Sequence, residues 1–212
     1  FQHAEERYGG ARMMLDDGLL SRFPMERIFG LHNWPGLAAG AVAVHDGPVM
    51  AGTAEFSLRF QAVGGHASMP HLTGDPLLAG GQFMVGIQKA VARSVDPMEA
   101  AVITVGSFQG GHAQNIIPQE AVLTGTLRAF RAPTLAHLRA RVAAVAEASA
   151  QMAGCGWALD FDPNPSSPVV NTTSERDILR LAAGPALVHS PAPVMAGDDF
   201  GEFLSVIPGA YA

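Results

Sequence analysis

From Glu55 the sequence alternates strictly, with Phe56, Leu58, Phe60 and Ala62 on one side and Glu55, Ser57, Arg59 and Gln61 on the other. Successive side chains of a strand point to opposite faces, so this stretch predicts a half-exposed strand with one apolar face. The residues downstream narrow the fold further. Asp75-Pro76 sets an N-cap residue before a proline suited to the first helical position and predicts a helix to about Ser94. Ala101 to Phe108 and Glu120 to Phe130 predict two more strands, joined by the glycine-rich loop 110–118. A second helix is predicted from about Thr134 to Ala153, with Leu135, Leu138, Val142, Val145, Ala148 and Met152 on one stripe. Gly154 and Gly156 end it, and Trp157 to Phe161 supplies a last strand. The order strand, helix, strand, strand, helix, strand is the split βαβ unit of a ferredoxin-like domain.

The flanks of this unit predict a second domain. Residues 9–18 carry helix formers closed by Gly18, a residue suited to end a helix. Arg27 to His32 and Gly40 to His45 read as short apolar strands, buried on both faces if their sheet is parallel. Asp162-Pro163-Asn164-Pro165-Ser166-Ser167-Pro168 reads as a proline-rich exit linker. After it, Ser174 predicts the cap of a short helix that Gly184-Pro185 ends. Residues 1–52 and 164–212 are therefore expected to form one α/β domain, interrupted by the inserted unit at 53–163. The chain opens on Phe1 without a methionine and closes on Pro208-Gly209-Ala210-Tyr211-Ala212, which reads as a strand entering a core. The α/β domain is accordingly expected to be incomplete, part of a longer protein.

Composition narrows the possible partners. Apolar residues make up 48% of the chain and charged residues 15%, the reverse of a disordered composition. A net charge of −6 leaves no Lys/Arg surplus to neutralise phosphates, so no nucleic-acid partner is expected. The longest clean apolar stretch, Leu37 to Val44, is far short of the roughly 18–20 residues that cross a bilayer. No basic-then-apolar leader opens the chain, and no membrane role is expected. Cys155 is the single cysteine, which excludes an internal disulfide and fits a reducing cytoplasm.

Four clusters carry possible chemistry, each with a structural alternative. Glu5-Glu6 is an acidic pair at a strand-to-helix junction, where acids also simply favour the helix dipole. His32 ends a strand in Gly30-Leu31-His32-Asn33-Trp34-Pro35; carboxylate plus imidazole suits zinc, manganese or cobalt, though a lone histidine there also serves as a hydrogen-bonded structural residue. His66 projects from the glycine turn Gly64-Gly65-His66-Ala67-Ser68-Met69-Pro70-His71, either toward a ligand or into solvent. Asn115 and Arg128 offer an amide and a two-pronged guanidinium for a carboxylate, or a loop cap and a solvated strand position.

Taken in this order, the residues resemble the co-catalytic metallopeptidase family of aminoacylases, hippurate hydrolases, auxin-conjugate amidohydrolases and related carboxypeptidases. Phe1-Gln2-His3-Ala4-Glu5-Glu6 is similar to the family's F-Q-P-A-E-E, and the His32 segment to its G-L-H-x-x-P. Gly65 to His71 with Asp75-Pro76, and Asn115-Ile116-Ile117-Pro118 with Gly125 to Arg128, are similar to its lid signatures. Met195 to Phe200 is similar to its M-G-S-E-D-F, with Asp198 where the family has glutamate; His3 stands where it has proline.

The resemblance implies a partial zinc-peptidase-like catalytic α/β domain with an inserted ferredoxin-like lid and dimerisation domain. It implies Glu6 and His32 as metal ligands, Glu5 as general base, and His66 as donor to the oxyanion from the lid of a partner subunit. Asn115 would assist that oxyanion or bind the substrate carboxylate, Arg128 would clamp the carboxylate of an N-acyl amino acid or small peptide, and two divalent ions (Zn, Mn or Co) would activate water. The family's upstream Cys-Gly-His-Asp ligand segment and its downstream histidine ligand do not occur in these residues, so this chain alone is expected to be metal-poor and inactive. A reading from a different class is a non-catalytic dimerisation or small-ligand module built on the ferredoxin-like unit. A serine or cysteine hydrolase is disfavoured, since no G-x-S-x-G elbow occurs.

Overall fold

The computed structural model describes residues 4, 5 and 9–212. In chain order its elements are α1 (Gly10–Asp16), α2 (Leu19–Arg22), β1 (Ile28–Gly30), β2 (Pro48–Met50), β3 (Gly52–Gln61), β4 (Gly65–His66), α3 (Pro76–Ser94), β5 (Ala101–Gly110), β6 (Ile116–Ile117) and β7 (Glu120–Ala129). They continue with α4 (Ala132–Ala153), β8 (Gly156–Phe161), β9 (Val169–Val170), α5 (Thr173–Ala183), α6 (Phe200–Leu204) and β10 (Gly209–Tyr211). Two compact units result. The first gathers the residues up to Thr53, Ala129–Ala132 and Asn164–Ala212; the second is Ala54–Arg128 with Pro133–Pro163. Among the described residues, no helix is long and apolar enough to cross a membrane.

The second unit is ferredoxin-like. Its four-stranded sheet has the order β5-β7-β3-β8, as a split βαβ pattern requires. β3 and β8 run antiparallel, from Phe56 opposite Phe161 to Gln61 opposite Gly156. The alternation in β3 holds: Phe56, Leu58 and Phe60 are buried while Glu55, Ser57, Arg59 and Gln61 are exposed. Phe83 of α3 sits edge-on to both Phe56 and Phe60, with ring centroids 6.1 and 6.4 Å away. Leu123, Leu127, Leu138 and Val142 of this unit are also fully buried. α3 starts where expected, since the Asp75 carboxylate accepts from the Leu77 and Leu78 amides, both at 3.0 Å.

α4 departs from the expected stripe in its second half. Leu135, Leu138 and Val142 are buried, but the face continues through Ala146, Ser149 and Ala150, while Ala148 is exposed and Met152 is 71% exposed. Two consecutive steps of three residues fall behind the 3.6-residue turn, so Met152 lies about 100° off the stripe begun by Leu135. Gly154 then ends the helix with a left-handed φ of +66°, which a residue without Cβ adopts without strain.

The adjoining Cys155 thiol is half-buried. Burial pushes its pKa up and the Asp75 carboxylate adds to this, while a hydrogen bond from the Asp75 backbone offsets part of it. Because the thiolate is the nucleophile, Cys155 should react with iodoacetamide at pH 8 more slowly than free cysteine does. Timed alkylation and mass spectrometry check this, and a rate matching or exceeding that of the free amino acid would contradict it.

In the first unit, β1 and β10 pair in parallel, with Ile28, Phe29 and Gly30 opposite Gly209, Ala210 and Tyr211. The pairing continues past β1, where the His32 amide donates to the Ala212 carbonyl at 2.9 Å. Gly30 permits the closeness: a Cβ there would come within 2.5 Å of the Tyr211 ring. Tyr211 joins Ala11, Val49, Met50, Val169, Phe200, Phe203 and Ile207 in one core. β10 is therefore the core strand that its apolar sequence predicts.

Two expectations for this unit are corrected. Gly40 to His45 is not a strand; only Val42 makes a ladder contact, a single parallel bridge to Leu187. Gly40 takes a φ of +84°, which interrupts extended backbone, and the strand forms later, at β2. The cap of α5 is Thr172, two residues earlier than expected, and the Ser174 hydroxyl donates instead to the neighbouring Glu175 carboxylate. At Thr53 and Ser166 the chain crosses itself. Each amide donates to the other's carbonyl, at 3.0 and 3.1 Å, and the two hydroxyls lie 2.9 Å apart.

Candidate active site

In the first unit, the turn before α6 carries two acids into the core. Asp199 is fully buried and Asp198 is 5% exposed. The Ala11 amide, at the start of α1, donates to Asp199 Oδ2 at 2.8 Å. The Phe200 amide donates to Asp198 Oδ1 at 2.8 Å, and the Tyr211 hydroxyl donates to Asp198 Oδ2. Burial, then the Asp198 carboxylate, pushes the Tyr211 phenol far above its ordinary value, with smaller contributions from Glu5 and Asp199. Tyr211 is thereby kept protonated as a donor.

Glu5 completes this group. One carboxylate oxygen each from Glu5, Asp198 and Asp199 lies within 4.8 Å of the others. An all-oxygen group of this kind suits a divalent ion. His32 is not part of the group, although its ring packs edge-on to Tyr211 at 6.3 Å and to Trp34 at 5.7 Å. His32 Nδ1 is 2.7 Å from the Asn33 carbonyl oxygen. A carbonyl only accepts, so Nδ1 carries the proton and the Nε2 lone pair is the ligating atom. Glu6, the other expected ligand, lies outside the described residues, as does His3.

In the second unit, His66 sits on β4, paired with Ile116 of β6. The Ala67 amide donates to the Asn115 carbonyl at 2.9 Å, so the structure brings His66 and Asn115 together through backbone. The Asn115 side chain is exposed. Arg128 is half-buried near the far end of β7, separated from the Asn115 end by roughly 25 Å of extended strand. Asn115 and Arg128 therefore form no side-by-side clamp within one unit.

Sequence reasoning missed Asp199 and Tyr211 and gave Asp198 no role. The available signal was Asp198-Asp199 itself, two adjacent acids placed directly before Phe200 in the Met195 to Phe200 motif.

Residues 50–152 match the M20 peptidase dimerisation domain. Over its whole length the chain is 35% identical to the N-acetyl-L-cysteine deacetylase of Bacillus subtilis, covering 51% of that protein. It is 34% identical to the IAA-amino acid hydrolase ILR1-like 4 of Arabidopsis thaliana, again over all of this chain and 49% of the relative. With the N-acetyldiaminopimelate deacetylase of Streptococcus suis it shares 35% identity over 99% of its length and 56% of the relative. The chain thus spans about half the length of the curated relatives it matches. Among solved structures, the Bacillus subtilis YXEP protein, a dinuclear metal binding peptidase from the M20 family, superposes with a TM-score of 0.79 at 29% identity, over all of this chain and 53% of that one. A protein of solved structure from methicillin-resistant Staphylococcus aureus gives a TM-score of 0.88 at 27% identity, over 99% and 55% of the two chains. The motifs, the ferredoxin-like unit and these likenesses agree: the chain is similar over its length to M20 amidohydrolases, and residues 50–152 match their peptidase dimerisation domain.

Proposed function

We propose that this chain is part of a metal-dependent amidohydrolase that cleaves the amide bond of N-acyl amino acids or small peptides. The convergence of Glu5, Asp198 and Asp199 beside Tyr211, with His32 packed on the same ring, is the observation that carries this reading. On it, residues 1–52 and 164–212 form the catalytic layer, and 53–163 form the lid through which two copies pair. Two divalent ions, Zn, Mn or Co, would supply Lewis acidity and an activated water when bound. Glu6, His32 Nε2 and further groups outside this chain would hold them.

The residues of this chain then have separate tasks. Glu5 accepts the proton released by water and passes it to the leaving amine. Asp198 is oriented by Tyr211 and the Phe200 amide, and Asp199 by α1, so the acidic group keeps its geometry as charge changes. His66 of the partner subunit donates to the oxyanion. Arg128 clamps the substrate carboxylate through its forked guanidinium, and Asn115, beside His66 and apart from Arg128, assists the oxyanion. The single cysteine supports a cytoplasmic setting.

Hydrolysis by the whole protein of a panel of N-acyl amino acids, read as release of the free amino acid, tests the reading. Chelator-stripped protein should lose activity and regain it with Zn, Mn or Co, and His32→Ala should carry less metal per subunit. Full hydrolysis by stripped protein would overturn the proposal.

A further inference from the structure

Ser68 makes two contacts with a single atom of His66. Its backbone amide donates to His66 Nδ1 at 3.2 Å, and its Oγ lies 2.7 Å from the same nitrogen. A backbone amide can only donate, so Nδ1 presents a lone pair, and in the neutral ring the proton resides on Nε2. With Nδ1 an acceptor, the Ser68 hydroxyl must be a second donor.

The surrounding turn holds this pair in place although both side chains are exposed. The Met69 amide donates to the His66 carbonyl at 2.9 Å, and the Ala67 amide to Asn115. Gly64 turns the chain with a φ of +75° and donates to Thr73 Oγ1 at 3.1 Å. His32 is set the other way, with Nδ1 donating to a carbonyl. One chain therefore holds two histidines in opposite tautomers, one offering a lone pair from Nε2 and the other an N–H.

We propose that Ser68 is a positioning residue that fixes His66 as the Nε2–H tautomer, so that the outer nitrogen of the ring presents a donor. The consequence for turnover rests on the role of His66 given above. An Nδ1–H ring would aim a lone pair at a developing oxyanion, whereas a placed N–H stabilises it. Ser68→Ala removes one of the two donors to Nδ1; Ser68→Thr keeps the hydroxyl.

The test has two independent readouts on the whole protein. Long-range 1H–15N spectra of histidine-labelled protein report the tautomer, with the His66 signal assigned by its loss in His66→Gln. Wild type should show Nε2–H, Ser68→Ala a mixture with Nδ1–H, and Ser68→Thr the wild-type state. A wild-type ring protonated on Nδ1, or a tautomer unmoved by Ser68→Ala, would overturn the proposal. In parallel, kcat for an N-acyl amino acid should fall by up to about tenfold in Ser68→Ala with KM unchanged, and return in Ser68→Thr. A shifted tautomer with unchanged kcat would uphold the hold of Ser68 on the ring and remove His66 from the reaction.

Discussion

Replacing Glu5 by Gln in the whole protein should lower turnover by about 10²–10⁴-fold, the usual contribution of a general base, while leaving bound metal unchanged. Glutamine preserves the length and an acceptor oxygen but takes no proton, so the substitution isolates proton transfer from packing. Glu5 lies among the carboxylates of Asp198 and Asp199, which makes a ligand role its natural competitor. Metal content read by elemental analysis separates the two. Loss of metal together with activity would reassign Glu5 as a ligand, and undiminished kcat would remove it from the mechanism.

Asp199→Ala should destabilise the fold by about 1.5–3 kcal/mol, the range for losing a buried hydrogen bond to a charged group. The reason lies in how α1 begins. Its N-cap is Gly9, which offers no side-chain cap, and the Ala11 amide is satisfied by a carboxylate from the opposite end of the chain. Both residues are fully buried, so water cannot replace the lost acceptor. Asp199→Asn keeps an oxygen and should recover most of the loss. The check is the urea midpoint at unchanged slope; an Ala variant with the wild-type midpoint would show that α1 does not depend on this contact.

The inserted unit was legible because its signals are local. Strict alternation in β3, the Asp75-Pro76 start of α3 and Gly154 after α4 each act within a few residues, and each appears where expected. Gly40 to His45 misled because an apolar run does not reveal whether a partner strand is within reach; only Val42 found one. The stripe of α4 went astray at Ala148 and Met152, where small alanines on several faces leave the buried side undecided by pattern alone. The acidic group was hidden for another reason. Glu5 and Asp199 meet only through tertiary structure, and no spacing rule links residues so far apart. The motif containing Asp198 flagged the right stretch, but only the fold shows that Tyr211 and Phe200 hold it.

The crossing at Thr53 and Ser166 also bears on how such a chain can be rearranged. Both residues are almost fully buried and are fastened by reciprocal backbone bonds, so the stretch between them leaves and returns at neighbouring points. Closing a gap between adjacent ends needs only a short linker and little entropy. The intervening segment behaves as a cassette: a brief glycine-serine bridge could stand in for it, or a shorter or longer version be exchanged, without asking the flanking halves to find each other anew.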